Sequence, residues 1–149
     1  MKGVKILISA CLLGVSCRYD GASKTHPLAE QLLKEHTLIP VCPEQLGGLA
    51  TPRPPAERQG EIVCTREGTD VTEQYRRGAE EVLRLCRLYG CEAAILKERS
   101  PSCGCGQIYD GSFTGTLIAG DGITAQLLKA DGIPVYGESR VGELLGEVN

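Results

Sequence analysis

Eight cysteines stand in this chain of 149 residues, at positions 11, 17, 42, 64, 86, 91, 103 and 105. A reducing compartment disfavours disulfides, so this many thiols points to metal binding or catalysis. The competing reading of any one of them is a small buried hydrophobe. No Cys-x-x-Cys pair occurs, so the usual spacing of a structural zinc site is missing. The two histidines, His26 and His36, fall in or beside a predicted surface helix and read as solvated residues rather than ligands.

The elements that must position these thiols follow from the apolar pattern. Lys5 to Ala10 reads as a buried strand, Thr37 to Val41 as a second and Ala93 to Lys97 as a third, with a last strand over Ile133 to Tyr136. Helices are expected over Thr25 to His36, with Pro27 in the first turn, and from Asp70 or Thr72 to Gly90. Asp70 and Glu73 form a capping-box pattern for the second of these. Val71, Tyr75, Ala79, Val82, Leu83, Cys86 and Leu88 would build its apolar face. A short helix over Gly122 to Ala130 and a terminal one over Arg140 to Val148 complete the set. A short strand is expected over Glu61 to Thr65. The Pro- and Gly-rich stretch Pro43 to Gly60 and the stretch Ser100 to Gly115 read as irregular. Strands alternating with helices predict an α/β fold: one domain over residues 1–149, with a mostly parallel, Rossmann-like sheet and helices on both faces.

In such a sheet, ligands bind beyond the carboxyl ends of the strands. Cys11 directly follows the first strand, Cys42 directly follows the second, and Cys103 lies in the loop after the third. Parallel strands bring those ends to one edge, so the three thiols are expected together although they are far apart in sequence. Cys17 and Cys105 lie near the same edge as possible additional members of the site. Cys64, Cys86 and Cys91 are assigned to structure. Three thiolates favour a soft metal or an iron–sulfur cluster. A cubane held by three cysteines leaves one iron open, and an open iron is a Lewis acid suited to sulfur.

The neighbours of these cysteines suit catalysis. Glu44, two residues after Cys42, is placed to act as a general base on water. Ser100 and Ser102 supply two hydroxyls just before Cys103, although serines around a proline also form turns. Arg18, Tyr19 and Asp20, together with Arg53, are candidates for gripping a polar heterocycle. The charged members of that set fit loop-bracing ion pairs equally well.

Five segments carry a resemblance that spans nearly the whole chain. They are Ser9-Ala-Cys-Leu-Leu-Gly14, Cys17-Arg-Tyr-Asp-Gly21, Val41-Cys-Pro-Glu-Gln-Leu-Gly-Gly-Leu49, Thr51-Pro-Arg-Pro54 and Leu96-Lys-Glu-Arg-Ser-Pro-Ser-Cys-Gly104. They resemble the DUF523 family, which includes a thiouracil desulfidase domain. The resemblance implies a [4Fe-4S] cluster on Cys11, Cys42 and Cys103. It implies Glu44 as the acid/base residue and Ser100 as the partner that positions a water. The implied reaction is non-redox desulfuration of a thiolated nucleobase, with oxygen from water replacing sulfur.

Composition sets the remaining bounds. A net charge of −3 with no basic stripe speaks against a nucleic-acid partner and leaves a small-molecule substrate. No apolar run approaches the roughly 20 residues of a membrane helix, and the first ten residues read as a strand rather than a signal peptide. The expected location is the cytoplasm. Two rival functions fit the cysteines: a metal or redox sensor without turnover, and a sulfurtransferase carrying a persulfide on Cys103 or Cys105.

Overall fold

The computed structural model describes residues 3–146. At its centre is a four-stranded parallel sheet built from β1 (Lys5–Ser9), β2 (Thr37–Val41), β5 (Ala93–Leu96) and β8 (Val135–Gly137), in the order β2-β1-β5-β8. Strand alternation sends successive side chains to opposite faces. Ile6 and Ile8 pack on one face with Leu32 of α1 (Ala29–Glu35), together with Val141 and Leu144 of the 3-10 segment Glu138–Leu144. Leu7 packs on the other with Val82 and Cys86 of α3 (Thr72–Tyr89), and Ala125 and Leu128 of α4 (Ile123–Ala130). Both faces are thus covered, and the central strands β1 and β5 bury Ile6 to Ile8 and Ala93 to Leu96, as a covered parallel sheet requires.

The strand order reverses between β1 and β5, because β2 follows β1 on one side and β5 joins it on the other. Register pairs Ser9 with Val41, and Ile8 with Ile95. The chain therefore leaves all three strands at one edge, where a crevice opens at the switch point.

Several expectations are corrected. The stretch 43–60 is not irregular: it holds the short helix α2 (Pro43–Leu46) and strand β3 (Ala56–Gln59), which pairs antiparallel with β4 (Ile62–Thr65). Pro43 occupies the first turn of α2, where its missing N–H has no partner to lose. The stretch 100–115 contains β6 (Gln107–Tyr109), paired with β7 (Leu117–Ala119). The helix expected from Thr25 begins at Ala29, after the His26 ring has accepted the Leu28 amide. The terminal helix is a 3-10 segment, Glu138–Leu144, and residues 147–148 of that expectation lie outside the described residues. Asp70 accepts the Thr72 amide at 2.9 Å, a turn-type cap two residues along rather than a capping box. Leu88, expected on the apolar face of α3, is 72% exposed.

His36 is buried, not solvated. Its Nδ1 accepts the Val4 amide and its Nε2 donates to the Leu144 carbonyl at 2.6 Å. His26 likewise donates to the Glu138 carbonyl. Both rings stitch the C-terminal segment onto the sheet. No described helix is long and apolar enough to cross a membrane.

Candidate active site

A cavity of about 450 Å³ opens at the strand ends. Cys11, Cys42 and Cys103 line it, as do Cys17, Glu44 and Ser100. Cys11 is carried by the 3-10 turn Ala10–Leu13 that continues β1, and Cys42 ends β2 as the residue before α2. Cys103 sits in the loop after β5. That loop is pinned by the start of α4, whose Ile123 and Thr124 amides donate to the Pro101 and Ser102 carbonyls. A side chain at Gly122 would collide with the Ser102 backbone at 2.3 Å, so glycine is required for this close approach.

Cys11, Cys17 and Cys103 are buried. Burial pushes the Cys103 thiol up to about 12, partly opposed by a hydrogen bond from Ser9 Oγ at 3.5 Å. Burial also raises Cys17 to about 12, with Cys42 and Cys11 adding to the shift, and raises Cys11, where Lys97 pulls the other way. Desolvation thus disfavours the thiolate form here, and a bound cation would favour it.

Glu44 is fixed from two sides. Arg53 Nε donates to its Oε2 at 2.9 Å, Arg53 Nη2 contacts the same oxygen, and Tyr75 Oη donates to Oε1 at 3.2 Å. Desolvation pulls the Arg53 pKa down, but the charge and hydrogen bonds of Glu44 together outweigh it and the net shift is upward. Burial and the Glu44 charge push the Tyr75 phenol far above its ordinary range, so it remains a donor. Two lone pairs of Oε2 are occupied and one of Oε1, which leaves Oε1 one acceptor position.

The meeting of Glu44 and Tyr75 has a backbone cause. A Cβ on Gly78 of α3 would lie 1.9 Å from the Pro43 carbonyl oxygen, and one on Gly47 would lie 1.9 Å from that of Gln74. Two facing glycines let α2 sit directly against α3, one turn beyond Tyr75.

Ser100 Oγ accepts the amides of Ser102 at 3.0 Å and Cys103 at 2.9 Å. With its lone pairs taken, the hydroxyl can only donate.

Other candidates separate cleanly. Arg18 and Tyr19 line the cavity. Asp20 is not part of its lining; it accepts the Ala22 amide and stands 3.9 Å from Arg18. Ser102 is fully buried against Thr124 at 2.8 Å, so it braces the loop instead of meeting a substrate. Arg53 lines the cavity but directs its donors to Glu44, the Cys17 and Ala50 carbonyls and Thr51. All five are taken, which makes it a brace rather than a grip. Cys105 faces away, with Sγ near the Val135 carbonyl at 3.5 Å. Cys86 and Cys91 pack in the core beside α3. Tyr75, read from the sequence only as part of an apolar face, is the residue that pattern reasoning missed.

Comparison with known proteins gives the family and the fold. The chain is 42% identical over 150 residues to the uncharacterized protein YbbK of Bacillus subtilis (strain 168), covering 94% of this chain and 99% of that protein. It is also similar to the solved structure of the [4Fe-4S]-dependent thiouracil desulfidase TudS. The TM-score is 0.87 and the identity 50%, over 95% of each chain. The 2-thiouracil desulfurase family model matches residues 6–140, from the first strand through the cysteine-lined cavity to the last. On that match the chain belongs to the 2-thiouracil desulfurase family.

Proposed function

We propose that this enzyme removes sulfur from a thiolated pyrimidine base by hydrolysis, at a [4Fe-4S] cluster held by Cys11, Cys42 and Cys103. The observation that carries the reading is the convergence on one cavity of Cys11, Cys42 and Cys103, with Cys17 as a fourth thiol, together with a carboxylate and a donor-only hydroxyl.

The donor set fits a cluster: the cysteine sulfurs that line the cavity are the soft ligands that iron–sulfur clusters take. Bound there, the cluster supplies an iron without a protein ligand, a soft Lewis acid for a thiocarbonyl sulfur.

The protein's own groups supply the proton chemistry. Ser100 donates its hydroxyl proton to the oxygen of a water and so orients it. The open position on Glu44 Oε1 takes a proton from that water as its oxygen attacks the carbon bearing sulfur. The same carboxyl passes that proton to the departing sulfur, and the second proton of the water is lost to solvent as the new carbonyl forms, so one hydrosulfide and one proton are released. Water oxygen replaces sulfur and no electrons enter or leave. Arg53 and Tyr75 keep the carboxylate still throughout. A reducing, cytoplasmic setting suits the eight cysteines, all of which are free thiols.

The test is anaerobic reconstitution with iron and sulfide, followed by absorption and spin-resonance spectra and a sulfide assay with 2- and 4-thiouracil. Cluster spectra with sulfide released in proportion to uracil formed are expected. A reconstituted cluster with no sulfide from either base would overturn the proposal.

A further inference from the structure

The chain has a single phenylalanine, Phe113, and its backbone is held at φ +58°. A bulky residue avoids this left-handed region unless its surroundings impose it. Among the described residues, Arg99 at φ +71° is the one other non-glycine there, and both line the cavity. Residues held this way cluster at ligand clamps.

Three contacts impose the Phe113 conformation. Glu57 Oε1, from β3, accepts the Gly111 amide at 2.9 Å and the Phe113 amide at 3.1 Å. The Arg66 guanidinium lies over the ring, 5.5 Å from its centroid. The ring belongs to none of the three apolar cores and is only half-buried. An aromatic side chain fixed at a cavity wall, outside any core, is held there to meet something.

We propose that Phe113 is the stacking surface for a flat heteroaromatic ring in this cavity, and so a specificity-determining residue for cyclic over open-chain thiocarbonyl compounds. The inference rests on the cavity being the substrate site of the proposed desulfuration. A planar base offers a π-face to the ring, and an open-chain thioamide does not. Arg66 and Glu57 act through Phe113 by fixing its plane.

The experiment is titration calorimetry of the anaerobically purified full chain with uracil, which has the ring but no sulfur to lose. Phe113→Leu keeps the apolar bulk and should weaken uracil binding about five- to twentyfold. Phe113→Tyr should bind within about twofold of wild type, because the π-face remains. Glu57→Ala, which frees the loop without touching the ring, should also weaken binding. In the sulfide assay Phe113→Leu should raise KM for thiouracil with kcat nearly unchanged, and should lower the preference, as a ratio of kcat/KM, for thiouracil over thioacetamide. Equal uracil affinity in Phe113→Leu and wild type would overturn the stacking role. Equal losses in the Leu and Tyr variants would do so too, as would a wild type that binds no uracil. Should wild type bind uracil in this Phe113-dependent way yet release no sulfide, the desulfuration reading fails and the stacking surface stands.

Discussion

Tyr75 Oη lies 3.2 Å from Glu44 Oε1, joining the longest helix to a carboxylate that sits two residues beyond Cys42. The bond leaves Glu44 a single open acceptor position on the oxygen that it shares with Tyr75. It follows that Tyr75→Phe, which keeps the ring and its packing, lowers kcat for sulfide release by roughly tenfold with little change in KM. The stability cost is about 1 kcal/mol, the net worth of one hydrogen bond. Glu44→Gln lowers kcat by a further order or more, within the roughly 10²- to 10⁴-fold typical of a lost general base. Steady-state sulfide release and chemical denaturation check both values.

Arg53 is 5% exposed at its side chain and its partner Glu44 14%, so the pair is well shielded from solvent. Removing the cation strands the carboxylate. Arg53→Ala is expected to destabilise the chain by about 3–5 kcal/mol, measured by urea unfolding. Glu44→Gln in that background should recover part of the loss, because an amide is cheaper to bury unpaired than a charge. Additive effects of the two substitutions would count against the pairing.

Gly78 offers a test in which helix propensity and packing have opposite signs. Alanine is the better helix former by about 1 kcal/mol. Its methyl group, however, would stand 1.9 Å from the Pro43 carbonyl oxygen. Gly78→Ala should therefore lower both the melting temperature and kcat, since moving α2 away from α3 separates Glu44 from Tyr75. A more stable Gly78→Ala chain with full activity would contradict the close approach.

Acid should act on the cap of α3. The hydrogen bonds that the Thr72 side chain and amide give to Asp70 hold its carboxyl below the ordinary 3.8. A carboxylate whose folded pKa is depressed contributes stability that is full above its unfolded pKa and is lost as pH falls through the folded one. The stability gap between wild type and Asp70→Ala should be open at about pH 6 and narrow below about pH 4, read by denaturation at each pH.

The layout of the sheet and the strand-end positions of Cys11, Cys42 and Cys103 were legible because both follow from local pattern. Buried strands are continuous apolar runs, and parallel strands share an edge whatever their separation in sequence. The stretch 43–60 was not legible. Pro43 and Gly47 look like helix breakers, yet one starts a helix and the other lets it touch α3. Ser100 and Ser102 are alike in sequence and differ only in direction. One hydroxyl meets the cavity and the other meets Thr124. Arg53 looked like a substrate grip because its partners come from segments that only the fold assembles. Tyr75 was hidden for the opposite reason. Its ring fits the apolar stripe of α3, and the stripe says nothing about where its hydroxyl ends.

The most direct measurement is the iron and acid-labile sulfide content of anaerobically reconstituted single variants. Wild type and Cys105→Ser should hold about four irons per chain. Cys11→Ser, Cys42→Ser and Cys103→Ser should each lose the cluster while keeping the wild-type circular dichroism spectrum. Full iron content in any of those three, or its loss from Cys105→Ser, would contradict the assignment.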